Sequence, residues 1–155
     1  MTQSGPWTTE DFETLSWHDV HVHGLRLDTF RESEGSADLV LDIDYILQWH
    51  KTGTSFEFTI CPATLRFHEV FALRVSLDYA GPTAGMCPFS IDGIERERLV
   101  FPTGFTSYRW RIPVNWPRGE IEFQAPGFTQ MLAGTPRLHS RQWLAPETRA
   151  NGRAA

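Results

Sequence analysis

Strict alternation of apolar and polar residues runs through the middle of the chain. Between positions 39 and 49 the odd positions are all apolar or aromatic, and the residues between them include Asp42 and Asp44. A period of two is typical of a strand with one buried face. A second alternating row leaves Arg109 and Arg111 on the opposite face. We expect the core to be built from these two rows: Leu39, Leu41, Ile43, Tyr45, Leu47 and Trp49, and Tyr108, Trp110, Ile112 and Val114.

Shorter apolar rows with the same period occur at 56–60, 65–67, 73–79, 89–91 and 121–123, separated by segments rich in Gly, Pro and small polar residues. The pattern thus indicates about eight short strands and no long helix that could cross over between parallel strands. The sequence therefore predicts an all-β fold, a single antiparallel β-sandwich or a partly closed barrel. The pattern leaves both architectures open.

One strand requires an extra residue to keep its apolar side chains on one face. Val20 and Val22 alternate with Leu25 and Leu27 only if a residue between them is absorbed in a β-bulge, and we assign this position to Gly24. A hairpin turning between Glu32 and Ser36 would then set Leu27 opposite Leu41, Arg26 opposite Asp42, Leu25 opposite Ile43 and His23 beside Asp44.

The two ends of the chain differ from the middle. In the N-terminal segment 1–16, Thr8 is placed to cap a short helical turn with Asp11 three residues on. The antiparallel β domain is assigned to residues 17–125. Pro and Gly interrupt the alternation after Ala125, so residues 126–148 are predicted to be an irregular extension packed on the domain. Residues 149–155 are expected to be a disordered tail.

Composition and charge restrict the class of partner. The 155 residues are 41% hydrophobic and 13% aromatic, with a formal net charge of -5 and a pI of about 5.6. The chain lacks a block of Lys and Arg for a phosphate backbone, which argues against nucleic acid. It also lacks a leader pattern and an apolar run of roughly 20 residues, so no membrane contact and a cytoplasmic location are expected. Cys61 and Cys87 are expected to be free thiols.

The densest group of chemically useful residues is the segment Trp17 to His23. His21 and His23 share one face of their strand, and on the next strand Asp42 and Asp44 share the face opposite the apolar row. Imidazole and carboxylate ligands suit Zn, Mn or Fe, so these four residues are the candidate metal ligands. The alternative is that they are polar residues and cross-strand pairs on the outer face of a half-buried sheet.

The sequence contains no complete catalytic signature. A G-x-S-x-G elbow, a phosphate loop and a G-x-G-x-x-G segment are all absent. A non-catalytic binding or protein-interaction module without a cofactor is therefore the favoured interpretation. Its expected partner is a protein, or a second copy joined through a sheet edge. The alternative is a metal-dependent hydrolase that uses the His/Asp cluster.

Four segments carry a resemblance to other proteins: Trp17 to Asp19, Leu41 to Leu47, Pro62 to Phe67 and Asn115 to Glu120. Together they resemble a group of small, uncharacterised bacterial proteins, and the similarity extends from Trp17 to Phe128. This resemblance implies a bacterial single-domain protein and assigns no catalytic residue. The three residues Trp17 to Asp19 are also similar to the opening of some bacterial immunity proteins.

Overall fold

A computed structural model describes residues 5–29, 35–81 and 85–152, and within them the chain forms ten strands, one 3₁₀ helix and one α-helix. In chain order the elements are β1 (Trp7–Thr8), the 3₁₀ helix (Thr9–Thr14), β2 (Val20–Thr29), β3 (Ala37–Thr52), β4 (Ser55–Leu77), β5 (Phe89–Ile91), β6 (Glu95–Val100), β7 (Thr106–Trp116), β8 (Gly119–Ala125), β9 (Phe128–Leu132), β10 (Arg137–His139) and α1 (Pro146–Gly152).

The strands form one antiparallel sheet that curls into a ring. Along the ring β4 pairs with β3, β3 with β2, β2 with β5, β5 with β7 and β7 with β8, and β8 returns to the far end of β4. The remaining strands attach outside this ring, β6 to β7, β9 and β10 to β4, and β1 to β9. The predicted all-β fold is confirmed, and its architecture is the partly closed barrel.

The interior of the ring is filled by aromatic and aliphatic side chains. Phe67 lies at its centre, with ring centroids 4.6 Å from Phe123, 5.1 Å from Trp110 and 5.9 Å from Phe128. Burial of each such side chain contributes about 1.5–3 kcal/mol, and interiors packed in this way hold few voids. The predicted row on β7 is confirmed, because Trp110, Ile112 and Val114 are buried while Arg109 and Arg111 are exposed.

The β2–β3 pairing contains the predicted bulge but in a different register. Leu27 lies opposite Leu39 rather than Leu41, and Arg26 opposite Val40 rather than Asp42. The unpaired extra residue is His23, whereas Gly24 pairs with Asp42. The expected register was therefore wrong by two residues. A shift of two leaves every side chain on its original face, which explains why the apolar pattern was compatible with both registers.

A second bulge corrects the predicted core row on β3. Ile46 pairs with Ile60 but Gln48 with Thr59, so Leu47 is the extra residue. Beyond it the two faces exchange, and Trp49 moves to the outer face with 42% of its surface exposed. The row is buried from Leu39 to Tyr45, and the prediction fails at Trp49 because a bulge inverts the alternation.

The predicted rows at 56–60, 65–67 and 73–79 mostly fall in one long strand, β4, which bends where it leaves β3 for β8. Glu69 and Ala72 adopt positive φ angles of 50° and 55° at this bend. The buried Asp38 carboxylate accepts the Glu69 N–H at 3.0 Å and an Arg66 N–H at 2.9 Å. Asp38 thus fixes the bend with an ion pair and a backbone hydrogen bond.

The chain ends contain more regular structure than the pattern indicated. The N-terminal turn is present as the 3₁₀ helix, with the Thr8 N–H donating to the Asp11 carboxylate at 2.8 Å. The segment after Ala125 supplies β9, β10 and α1. Arg149, assigned from sequence to a disordered tail, lies in α1 and is buried. Residues 153–155 are outside the described part of the chain.

Candidate functional site

Asp44 is a fully buried carboxylate on the outer face of β3. Its exposed fraction is 0%. The Nε2 atom of His23 lies 2.6 Å from Oδ2 of Asp44, and the backbone N–H of Leu144 donates to the same oxygen at 2.8 Å. A charged group this deep in the protein requires partners for its lone pairs. The bulge at His23 and the C-terminal segment provide them.

Arg149 supplies the positive charge in this cluster. Its Nη1 donates to Asp44 and its Nη2 to Asp42, so that one guanidinium bridges two carboxylates two residues apart on β3. Nη1 also lies 3.4 Å from the carbonyl oxygen of Ile43. We call residues 140–149, which run across the outer face from β10 to α1, the C-terminal strap. The strap is attached to the sheet by the ion pairs of Arg149 with Asp42 and Asp44 and by the buried Leu144, whose N–H donates to Asp44.

His21, on β2, lies directly opposite Asp44 of β3 on one side and Ser90 of β5 on the other. Burial lowers the pKa of His21, and this effect exceeds the opposing attraction of Asp44. Its Nδ1 atom is buried without a hydrogen-bond partner, and its ring lies 6.4 Å from that of Trp143 in the strap. Burial beneath the strap therefore favours the neutral form of the His21 imidazole.

The four candidate metal ligands lie on one face, as predicted, but they are engaged with other groups. His23 contacts Asp44, and Asp42 pairs with Arg149 rather than with Arg26 as expected. Among the described residues no group of three His, Cys, Asp or Glu side chains is arranged to hold a metal ion. Metal binding by His21, His23, Asp42 and Asp44 stays a prediction. A metal ion that used both carboxylates would have to displace Arg149 from them.

A second polar network surrounds Asp19, which has a φ of 59°. Its carboxylate accepts from Asn115 Nδ2 at 2.9 Å and from Gln142 Nε2 at 3.2 Å, and it lies 3.2 Å from Nδ1 of His18. Asn115 is the extra residue of a bulge between β5 and β7, and it accepts a hydrogen bond from Ser90. The bulge gave no periodic signal in the sequence, and Gln142 lies outside the strands in the strap, so neither Asn115 nor Gln142 was predicted.

An exposed aromatic surface lies at the end of the β3–β4 hairpin, beyond the ring. Trp49 and Phe56 are 42% and 46% exposed, and their ring centroids are 6.1 Å apart in an edge-to-face arrangement. Phe58 lies beneath Trp49 at 5.0 Å. We call Trp49, Phe56 and Phe58 the aromatic patch. Phe58 continues into a small apolar cluster with Ile46, Ile60 and Leu144 of the strap.

Cys61 is buried and Cys87 exposed, both are free, and burial raises the pKa of the Cys61 thiol. A raised pKa disfavours the reactive thiolate. In the part of the chain that the structure describes, no helix has the length and apolar character needed to cross a membrane.

No protein-family model matches this chain, and no curated protein sequence is significantly similar to it.

Proposed function

We propose that this protein is a non-catalytic protein-binding module of the bacterial cytoplasm, and that the aromatic patch is its contact surface. The observation that carries the proposal is the exposure of Trp49 and Phe56 side by side on a hairpin that extends past the core. Aromatic side chains are enriched among the residues that dominate binding energy at protein interfaces. Exposed apolar groups grouped on one face are typical of interaction sites.

The buried charges support binding rather than catalysis. Each carboxylate in the His/Asp cluster is hydrogen-bonded to Arg149, and Asp44 also to His23 and the Leu144 N–H. These groups hold the strap in place. The net charge of -5 favours a basic partner, because complementary charge accelerates encounter and selects partners.

The charges on β6 support a distinct protein, rather than a second copy, as the partner. β6 is the edge strand beyond β7, and it presents Glu95 and Glu97 on one face and Arg96 and Arg98 on the other. If β6 strands of two copies paired about a two-fold axis centred on these four residues, each residue would lie opposite a residue from the same face of the other copy. Glu would then face Glu and Arg would face Arg, which disfavours self-pairing through this edge. Arg96 also lies over the Phe12 ring at 4.2 Å, an inward-pointing charge of the kind that protects sheet edges.

The proposal is tested by placing the photo-crosslinking amino acid benzoylphenylalanine at position 56 in the native host. The matched control carries it at Phe105, an equally exposed aromatic residue outside the patch, which is 54% exposed. We expect a discrete protein adduct from position 56 that disappears when Trp49→Ala is added. Equal adducts from both positions, or none from position 56, would refute the patch as the contact surface.

A further inference from the structure

Asp42 and Asp44 form a pair of carboxylates on the same face of β3, two residues apart. Successive same-face residues on a strand lie roughly 6.5–7 Å apart. Arg149 spans this separation with its two Nη atoms, one to each carboxylate. We propose that these carboxylates form a binding site for an arginine of a partner protein, and that Arg149 occupies this site from within the same chain.

A guanidinium fits this site better than other cations. Its planar fork directs separate N–H groups to two acceptors, whereas a lysine ammonium is a single point charge. The site is closed at Asp44, whose side chain is 0% exposed, and open at Asp42, whose side chain is 30% exposed. An incoming arginine can therefore reach Asp42 first and then replace Arg149 at Asp44.

The strap is held by few buried side chains. Leu144 is buried in the cluster with Ile46, Phe58 and Ile60, and Arg149 is buried at the carboxylates. The residues before Leu144, from Ser140 to Trp143, are exposed or half-buried. Gln142 adds a hydrogen bond to Asp19 at 3.2 Å. A segment attached at so few points can be released when a competitor occupies one of them, since each contact raises the effective concentration of the others.

The arginine site is continuous with the aromatic patch. Phe58 contacts Trp49 of the patch on one side and belongs to the Leu144 cluster on the other. A partner that docks on Trp49 and Phe56 would lie on the same face of β3 as Asp42, and its basic side chain would have to pass the strap at Leu144 to reach that carboxylate. This inference rests on the proposed function, which makes the partner a protein. It adds that the partner makes a second contact through an arginine side chain.

The test uses the full-length protein and a synthetic peptide of residues 140–152 of this chain as the probe. Amide shifts of Asp42 and Asp44 are followed by NMR during titration into the wild type and into the Arg149→Gln variant. We expect saturable binding to Arg149→Gln and at least about tenfold weaker binding to the wild type, because the strap competes at an effective concentration in the millimolar range. The control peptide carries Gln in place of its residue 149 and is expected to bind at least about tenfold more weakly.

A dispersed amide spectrum first establishes that Arg149→Gln is folded. If Arg149→Gln is not folded, the peptide is titrated into Arg149→Lys instead. The arginine of the peptide should then displace the lysine from the two carboxylates, because a lysine ammonium binds them more weakly. Equal binding of the two peptides, or no saturable shift up to a concentration on the order of 10 mM, overturns the site. A missing peptide response with the adduct at position 56 retained overturns only the arginine site. Loss of the adduct with peptide binding retained overturns only the aromatic patch.

Discussion

The backbone N–H of Leu144 donates a 2.8 Å hydrogen bond to Oδ2 of Asp44, joining residues that are 100 positions apart. The same carboxylate accepts from Arg149, five residues further along the strap. A single buried side chain on β3 therefore positions two attachment points of the C-terminal segment.

Asp44→Ala is expected to destabilise the protein by about 3–5 kcal/mol, because it removes the buried one of the two carboxylates that Arg149 bridges and also leaves His23 and the Leu144 N–H without their acceptor. Chemical denaturation measures this loss. Limited proteolysis at Arg141 should accelerate in the same variant as the strap detaches. The matched control is Glu97→Ala, which removes an exposed ion pair with Arg109 at 3.4 Å and should cost less than about 1 kcal/mol. Similar losses in both variants would contradict the assigned role of Asp44.

The alternation of residues predicted the buried rows of β3 and β7, because a closed sheet must place apolar side chains on its inner face. The bulges at His23 and Leu47 were not predictable in position, since an extra residue changes the pairing without a composition of its own. The bulge was assigned to Gly24 because glycine is conformationally flexible, but Gly24 pairs normally with Asp42.

The buried position of Arg149 was missed, although the sequence contains a signal for it. Val40 and Ile46 lie on the same face of β3 as Asp42 and Asp44, and both are buried. Apolar residues on both sides of two carboxylates indicate that another segment covers this face, and a covered carboxylate needs a cation. The tail of residues 149–155, which is mostly Arg and Ala, gave no periodicity that would identify that cation as Arg149.

Asp38 should make stability depend on pH in the acidic range. Burial raises the pKa of this carboxyl, but the Glu69 N–H and the Arg66 guanidinium outweigh burial and hold it below its ordinary value of 3.8. Because the folded pKa is depressed, the stabilisation is fully present above the unfolded value and is lost as pH falls through the folded one. Urea unfolding at a series of pH values below about 5 measures this loss.

The control for this pH dependence is Asp38→Asn, which keeps the size of the side chain and removes its charge. The variant should be less stable than the wild type at pH 7, and the difference should shrink toward pH 2 as the wild-type carboxyl becomes protonated. A difference that stays constant with pH would show that Asp38 acts through packing and not through its charge.

Gly119 marks a close approach between β8 and β4. A Cβ atom built at this position would lie 2.1 Å from the carbonyl oxygen of Ser76, which is backbone and cannot move aside by a rotamer change. Gly119→Ala is expected to cost about 1–3 kcal/mol or more, measured as a lower melting temperature. Gly24→Ala is the matched control, because its Cβ would meet only the Asp42 Cβ at 3.8 Å. A larger loss from Gly24→Ala than from Gly119→Ala would contradict the described register.

Whether the four candidate ligands bind a metal depends on competition between the metal ion and Arg149 for Asp42 and Asp44. In the wild type the guanidinium occupies Asp42 and Asp44, so protein purified without a His tag is expected to contain no stoichiometric Zn or Mn by elemental analysis. Arg149→Ala removes the competing guanidinium from the two carboxylates beside His21 and His23, and we expect it to bind Zn²⁺ at least about tenfold more tightly than the wild type. Coordination requires neutral imidazole, so this affinity should fall at acidic pH as protons compete with the metal. His23→Ala added to Arg149→Ala should abolish the gain in Zn²⁺ affinity.

Stoichiometric metal in the wild type would show that Arg149 does not block these ligands, and it would make a metal-dependent hydrolase the better hypothesis for this protein.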